Sequence, residues 1–166
     1  MDIYGQCSGV ECPRKLQESC FASHGFQYYF YLAFENSNCQ DYITEKLWRI
    51  LDSNIVPVVM GGGNYTRDAP QNSLINVADF DTVQDLANYL IFLTENPEEY
   101  LKYFTWKKHY DFYFTDPYCT LCEKLHNIEE PPKMYPDMTQ WFYYNDQGNL
   151  LCTDGSERSY FQSVMH

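Results

Sequence analysis

The sequence predicts an α/β domain of the doubly wound type, a parallel sheet with helices on both sides. Three observations carry that expectation. Two short and nearly continuous apolar runs, Gln27–Phe34 and Ile55–Met60, have the length and residue types of strands buried on both faces. Val83, Leu86, Ala87, Leu90 and Leu93 hold the spacing of one helix face. Strands and helices then alternate along the chain, as crossover connections in a parallel sheet require.

Composition bounds the rest. With 166 residues, 45% hydrophobic and 18% aromatic, the chain fits one packed domain. Eleven basic against 23 acidic residues give a net charge of −12, which argues against nucleic acid or an anionic membrane surface as the main partner. No stretch approaches the ~20 apolar residues of a membrane span, and the first five residues carry no signal-peptide pattern. Seven cysteines and the glycosylation sequon Asn64-Tyr65-Thr66 nevertheless suit the secretory pathway. The reading that reconciles these is a piece of a longer protein whose anchor lies upstream.

Taken in order, Asp2–Gly5 reads as a short strand, followed by a cysteine-bearing loop over 6–25 with Pro13 as a breaker. The run to Phe34 stops abruptly at Glu35-Asn36-Ser37. Thr44 is the expected N-cap of a helix from Glu45 to about Leu51, with Leu47, Ile50 and Leu51 on one face. Ile55–Met60 ends in Gly61-Gly62-Gly63, where backbone can approach a ligand closely. Leu74–Val77 is another strand. A helix over Thr82–Thr94 follows, and Pro97 opens a second one running to about His109. Beyond Asp111 come an aromatic loop, Cys119-x-x-Cys122, a short helix near Thr120–Asn127, a stiff Pro131-Pro132/Pro136 connector and a last helical turn over Asp137–Phe142. Asp146–Asn149 is turn chemistry. Residues 1–145 are read as one lobe and 146–166 as a tail.

The block FYLAFENS-x-C-x-DYITEKLW, then VPVVMGG-x-NY, a DF segment and the late Cys-x-x-Cys, resembles the C-terminal, donor-binding half of the α1,3-fucosyltransferases that use GDP-fucose. The likeness runs from about Asp2 to about Phe142. It implies a Rossmann-like C-terminal lobe of a GT-B-type glycosyltransferase, inverting transfer of L-fucose to GlcNAc of glycoprotein glycans, and a place on the lumenal side of the Golgi membrane. It implies no obligate metal, with stimulation by Mn or Mg left open. By the same likeness the general base, a helping arginine and the acceptor lobe belong to the other half, so this piece alone is expected to turn over little. Structural disulfides of Cys119 and Cys122 to that other half are implied as well, which would leave both unpaired or mispaired here.

Ligands of open α/β sheets bind at the carboxyl ends of the strands, and Glu35-Asn36-Ser37 is such an end. A diphosphate there needs a cation and N–H donors, which Lys46 and the N–H groups of Thr44–Lys46 can supply. Lys46 is thus the candidate for holding the phosphates and stabilising the departing GDP. The resemblance adds Glu45, Tyr42 and Asn36 to the donor site. Each has a plainer reading: a solvated charge for Lys46, a carboxylate favoured by the helix dipole for Glu45, packing or strand-end hydrogen bonding for Tyr42 and Asn36. Glu35 either binds a hydroxyl or orients Lys46. Tyr65 is a weaker candidate, near the base in the family-like position, and a glycan on Asn64 would have to point outward.

Other signals are faint. The triple glycine matches neither the phosphate-loop nor the dinucleotide pattern. Zinc at Cys119/Cys122 lacks a second pair at regular spacing, and a thioredoxin-type pair would open a helix rather than follow an aromatic loop. His24, His109, His126 and His166 share no motif, and Asp79-Phe80-Asp81 reads as helix capping rather than a metal site. The competing readings are a non-catalytic GDP-sugar-binding or interaction module, and a fucosyltransferase of α1,4 or protein O-linked specificity.

Overall fold

The computed structural model describes residues 28–152 apart from 112, 114, 115, 130 and 132. The expected strand at Asp2–Gly5, the 6–25 loop, Cys7, Cys12, Cys20, His24, His166 and the end of the tail lie outside the described residues.

Three parallel strands, β1 (Phe30–Phe34), β2 (Val56–Met60) and β3 (Ile75–Asn76), form a sheet in the order β1-β2-β3. Phe30 faces Val56 and Phe34 faces Met60, so the first two strands end level. The period-2 alternation of β2 sends Val56 and Val58 to one side and Val59 to the other. On Val59's side Ala33, Leu47, Leu51, Tyr65 and Trp106 pack together. On the other side Val56 and Val58 meet Ile75, Val77, Leu86 and Leu93. Both faces are therefore covered, and the doubly wound α/β expectation holds.

Helix α1 (Glu45–Leu51) has the expected bounds, with Thr44 as its cap and Leu47, Ile50 and Leu51 buried. Helix α2 (Tyr65–Asp68) is capped by Asn64, and α3 (Val83–Glu95) by Thr82, whose hydroxyl oxygen accepts from the Asp85 N–H at 3.0 Å. That cap belongs to Thr82 and not to Asp79 or Asp81, which corrects the sequence reading of the Asp-Phe-Asp run.

Four further departures have physical reasons. Strand β1 begins at Phe30 rather than Gln27, and as an edge strand of the described sheet it is incompletely covered, with Leu32 42% exposed. Strand β3 stops at Asn76 because the Asn76 side chain accepts from the Ala78 N–H and bends Val77–Asp79 into a 3-10 turn. The single helix expected from Pro97 to His109 is broken into α4 (Pro97–Lys102) and a 3-10 turn over Thr105–Lys108. The break lets Tyr100 and Phe104 pack against one core cluster while Trp106 enters the other. Helix α5 starts at Pro117, earlier than expected, because Asp116 caps it and proline suits its first position.

After α6 (Met138–Tyr143), Asn145 and Gly148 close a tight turn, with Gly148 at φ +80°, and Leu150 pairs back against Tyr144. The returning segment reaches the stretch just after β1. Cys39 and Cys152 pair and form a disulfide across a separation of 113 residues, and the Gln40 N–H donates to the Leu151 carbonyl at 2.8 Å. Closing a loop of that length stabilises a fold by roughly 4–5 kcal/mol in the chain-entropy account. Cys39→Ser is expected to lower the denaturant midpoint in proportion, measured by chemical unfolding of the oxidised protein; an unchanged midpoint would contradict the bridge.

Candidate functional site

The site grows from the point where β1 runs out. The Glu35 N–H donates to the Met60 carbonyl at 2.9 Å, extending the ladder one residue past Phe34 and fixing the direction of the Glu35 side chain. That side chain is 2% exposed. A buried carboxylate needs donors and a cation, and Glu35 has both. The Thr44 N–H donates to it at 2.7 Å, the Thr44 hydroxyl lies 2.8 and 3.0 Å from its two oxygens, and Lys46 Nζ approaches at 3.4 Å.

Lys46 Nζ also donates to the Phe34 carbonyl at 2.9 Å. An ammonium has three N–H donors, so after Phe34 and Glu35 one remains. The Lys46 side chain is 31% exposed, enough for that N–H to meet solvent or a ligand at the carboxyl ends of β1 and β2. Two of the three backbone donors expected to help it are spent inside the protein: the Thr44 N–H goes to Glu35 and the Lys46 N–H to Thr44 Oγ1.

The other candidates divide. Asn36 and Tyr42 are brought together on the exposed rim, where Tyr42 Oη donates to Asn36 Oδ1 at 3.1 Å. Glu45 is exposed and lies near Tyr31, whose hydroxyl is pushed up first by burial and then by the Glu45 carboxylate. Tyr65 is 6% exposed and packs in the core, its hydroxyl buried without a hydrogen-bond partner.

The triple glycine serves the protein's own packing. A Cβ on Gly61 would stand 2.8 Å from Tyr65 Oη and 2.9 Å from Glu35 Cγ. On Gly62 it would strike the Cys39 carbonyl, and on Gly63 the Ile43 side chain. Gly62 and Gly63 thus lie close against the segment 39–43 of the protein itself. A clamp missed in the sequence pins the same segment: Arg67 reaches Asp41 at 2.8 Å and Asp68 at 2.6 Å, with Asp41 held at φ +61°. Hydrogen bonding to Asp68 first, and to Asp41 next, pushes the guanidinium above its usual range. The only hint in the sequence is an aspartate, a residue that tolerates left-handed backbone, inside the polar run.

Cys119 and Cys122 sit within α5, which corrects the expectation that the motif stays outside a helix opening, and both are free and exposed. His126 Nδ1 lies 2.8 Å from the Cys122 carbonyl. Among the described residues no group of three or more His, Cys, Asp or Glu side chains is arranged to hold a metal ion, and no helix is long and apolar enough to cross a membrane.

The model of glycosyltransferase family 10 (fucosyltransferase), C-terminal part, matches residues 1–141. The chain belongs to that fucosyltransferase family. It is 38% identical to Alpha-(1,3)-fucosyltransferase C of Drosophila melanogaster over 86% of this chain and 34% of that protein. It is 40% identical to Glycoprotein 3-alpha-L-fucosyltransferase A of the same organism, over 96% of this chain and 32% of that protein. A solved alpha1,3-fucosyltransferase shares the fold at a TM-score of 0.50 and 19% identity, over 95% of this chain and 35% of that one. The chain thus spans about a third of the length of the relatives it matches, and its parallel α/β layout agrees with a GT-B C-terminal lobe.

Two measurements follow from the electrostatics and the thiols. Burial first, and for Tyr65 the Glu35 charge second, push Tyr65 and Tyr100 up to about 12 from 10.0. The stability gained by keeping these groups neutral is whole below pH 10 and is lost as pH rises toward about 12. Tyrosinate absorbance is therefore expected to show a late class that ionises together with alkaline unfolding, one member of which disappears in Tyr65→Phe. Cys119 and Cys122 are expected to alkylate without reductant, at a rate a chelator does not change, read by mass spectrometry; alkylation appearing only after chelation would restore the zinc reading.

Proposed function

We propose that this chain is the donor half of an α1,3-fucosyltransferase that moves L-fucose from GDP-fucose, with inversion at C1, onto GlcNAc of glycoprotein glycans. The observation that carries the reading is the anchored Lys46 ammonium, with one N–H still unspent, at the carboxyl ends of two level parallel strands. As the fucose C1–O bond breaks, the diphosphate gains negative charge, and the Lys46 cation, held at the strand ends by the Phe34 carbonyl, stabilises that charge. On this reading Asn36, Tyr42 and Glu45 offer acceptors and donors for sugar and ribose hydroxyls.

The carboxylate that takes the acceptor's proton, and an arginine on the diphosphate, are assigned to the part of such proteins that this chain does not span. The Cys39–Cys152 disulfide supports an oxidising compartment, and the proposed place is the Golgi lumen. There the sequon at Asn64 is a proposed glycosylation site: Asn64 Oδ1 is used as a cap, and its amide nitrogen is the atom a glycan takes.

Calorimetry tests the donor site on this chain. GDP is expected to bind in preference to UMP, and Lys46→Ala to weaken it about ten- to a hundredfold, as loss of a hydrogen bond to a charged group would. Within an active enzyme carrying this chain, the same change is expected to lower kcat by about 10²–10³. Equal affinity for GDP and UMP in a folded sample would count against the reading and favour a module with another ligand.

A further inference from the structure

The Tyr65 hydroxyl is the one polar group at this site with nothing to do. It is buried, it lacks a partner, and it lies against the same point beside Gly61 as Glu35 Cγ, each within 3 Å of where a Cβ would stand, at 2.8 and 2.9 Å. An orphaned buried hydroxyl is costly, and an observed one calls for an explanation. Glu35 supplies it. This carboxylate is 2% exposed, and Lys46 is its one cation among the described residues. A diphosphate that draws the Lys46 ammonium toward itself removes that cation and leaves a buried charge held by Thr44 alone.

The geometry points to an exchange behind the donor site: as Lys46 turns from Glu35 to the donor's diphosphate, the Tyr65 O–H swings onto Glu35 and takes the vacated place. Glu35 and Tyr65 are then positioning residues that act through Lys46 without touching the donor. Gly61 is the residue that makes the swing possible, since any side chain there would fill the space between them. The Glu35 charge already acts on the hydroxyl in the free protein, where it helps to hold Tyr65 in the neutral, proton-donating form. The inference rests on the donor-site reading, because the displacing anion is the diphosphate.

Stability and binding are expected to separate. Removing an unpartnered hydroxyl leaves the free protein as stable as before or more so, while a hydrogen bond to a carboxylate that forms only on binding is lost from the complex. Tyr65→Phe should therefore keep or raise the unfolding midpoint of the free chain and weaken GDP about tenfold by calorimetry. In a Glu35→Gln background Tyr65→Phe should weaken GDP little further, because the charged acceptor is gone. Should Glu35→Gln fail to fold, tyrosinate absorbance decides in its place: saturating GDP should move one tyrosine to still higher pH, and that movement should be missing in Tyr65→Phe.

Wild-type GDP affinity in Tyr65→Phe, or weaker binding accompanied by a lowered midpoint of the free protein, overturns the exchange. If Lys46→Ala weakens GDP while Tyr65→Phe does not, the exchange alone falls. If Lys46→Ala has no effect, or the wild-type chain does not prefer GDP to UMP, the donor-site reading falls with it.

Discussion

The grip of one buried carboxylate organises this end of the molecule. Glu35 holds the Thr44 backbone and hydroxyl and the Lys46 ammonium at once, and so ties the exit of β1 to the first turn of α1. Without it the Thr44 N–H would lose its acceptor, α1 would lose its fixed approach to the sheet, and Lys46 would keep only the Phe34 carbonyl. A short helix of seven residues has little intrinsic stability. Its orientation comes from the buried Leu47, Ile50 and Leu51 below and from Glu35 at its end.

The glycine loop and the segment 38–43 belong to the same construction. Gly61, Gly62 and Gly63 each admit a group of the protein that a side chain would exclude, and the Arg67 clamp on Asp41 and Asp68 holds the loop and the segment in register. The result places Asn36 and Tyr42 on a rim whose backbone is fixed on both sides, which is what a site for a flexible, highly charged ligand requires.

Much of this was legible in the sequence where the signal was local. Thr44 before Glu45 marked the start of α1, Pro97 marked α4, and the unbroken apolar run marked β2, because caps, prolines and buried strands declare themselves within a few residues. The exit Glu35-Asn36 and the lysine two residues past the cap stood out for the same reason, and the structure brings Glu35 and Lys46 together. What failed was set by distant contacts. The expected helix to His109 yielded to the demand that Tyr100 and Trp106 enter different core clusters. The Thr44 backbone donor looked free because its partner is a carboxylate nine residues away. Tyr65 packs in the core, and nothing in Gly-Asn-Tyr-Thr says which of its residues turns inward. The pairing of Cys39 with Cys152 spans 113 residues, and no spacing rule reaches that far.

That covalent bond also changes how the domain would bear a load. A pull applied beyond Cys39 on one side and beyond Cys152 on the other travels mainly through the sulfur bridge, which bypasses α1, β2, β3 and the helices that follow. Strand β1 lies before the bridge and remains in the line of force. The part of the fold that would yield first is thus β1, an edge strand of the described sheet, while the Lys46 helix rides inside a closed loop. Reduction removes that protection and puts the whole sheet in series with the load.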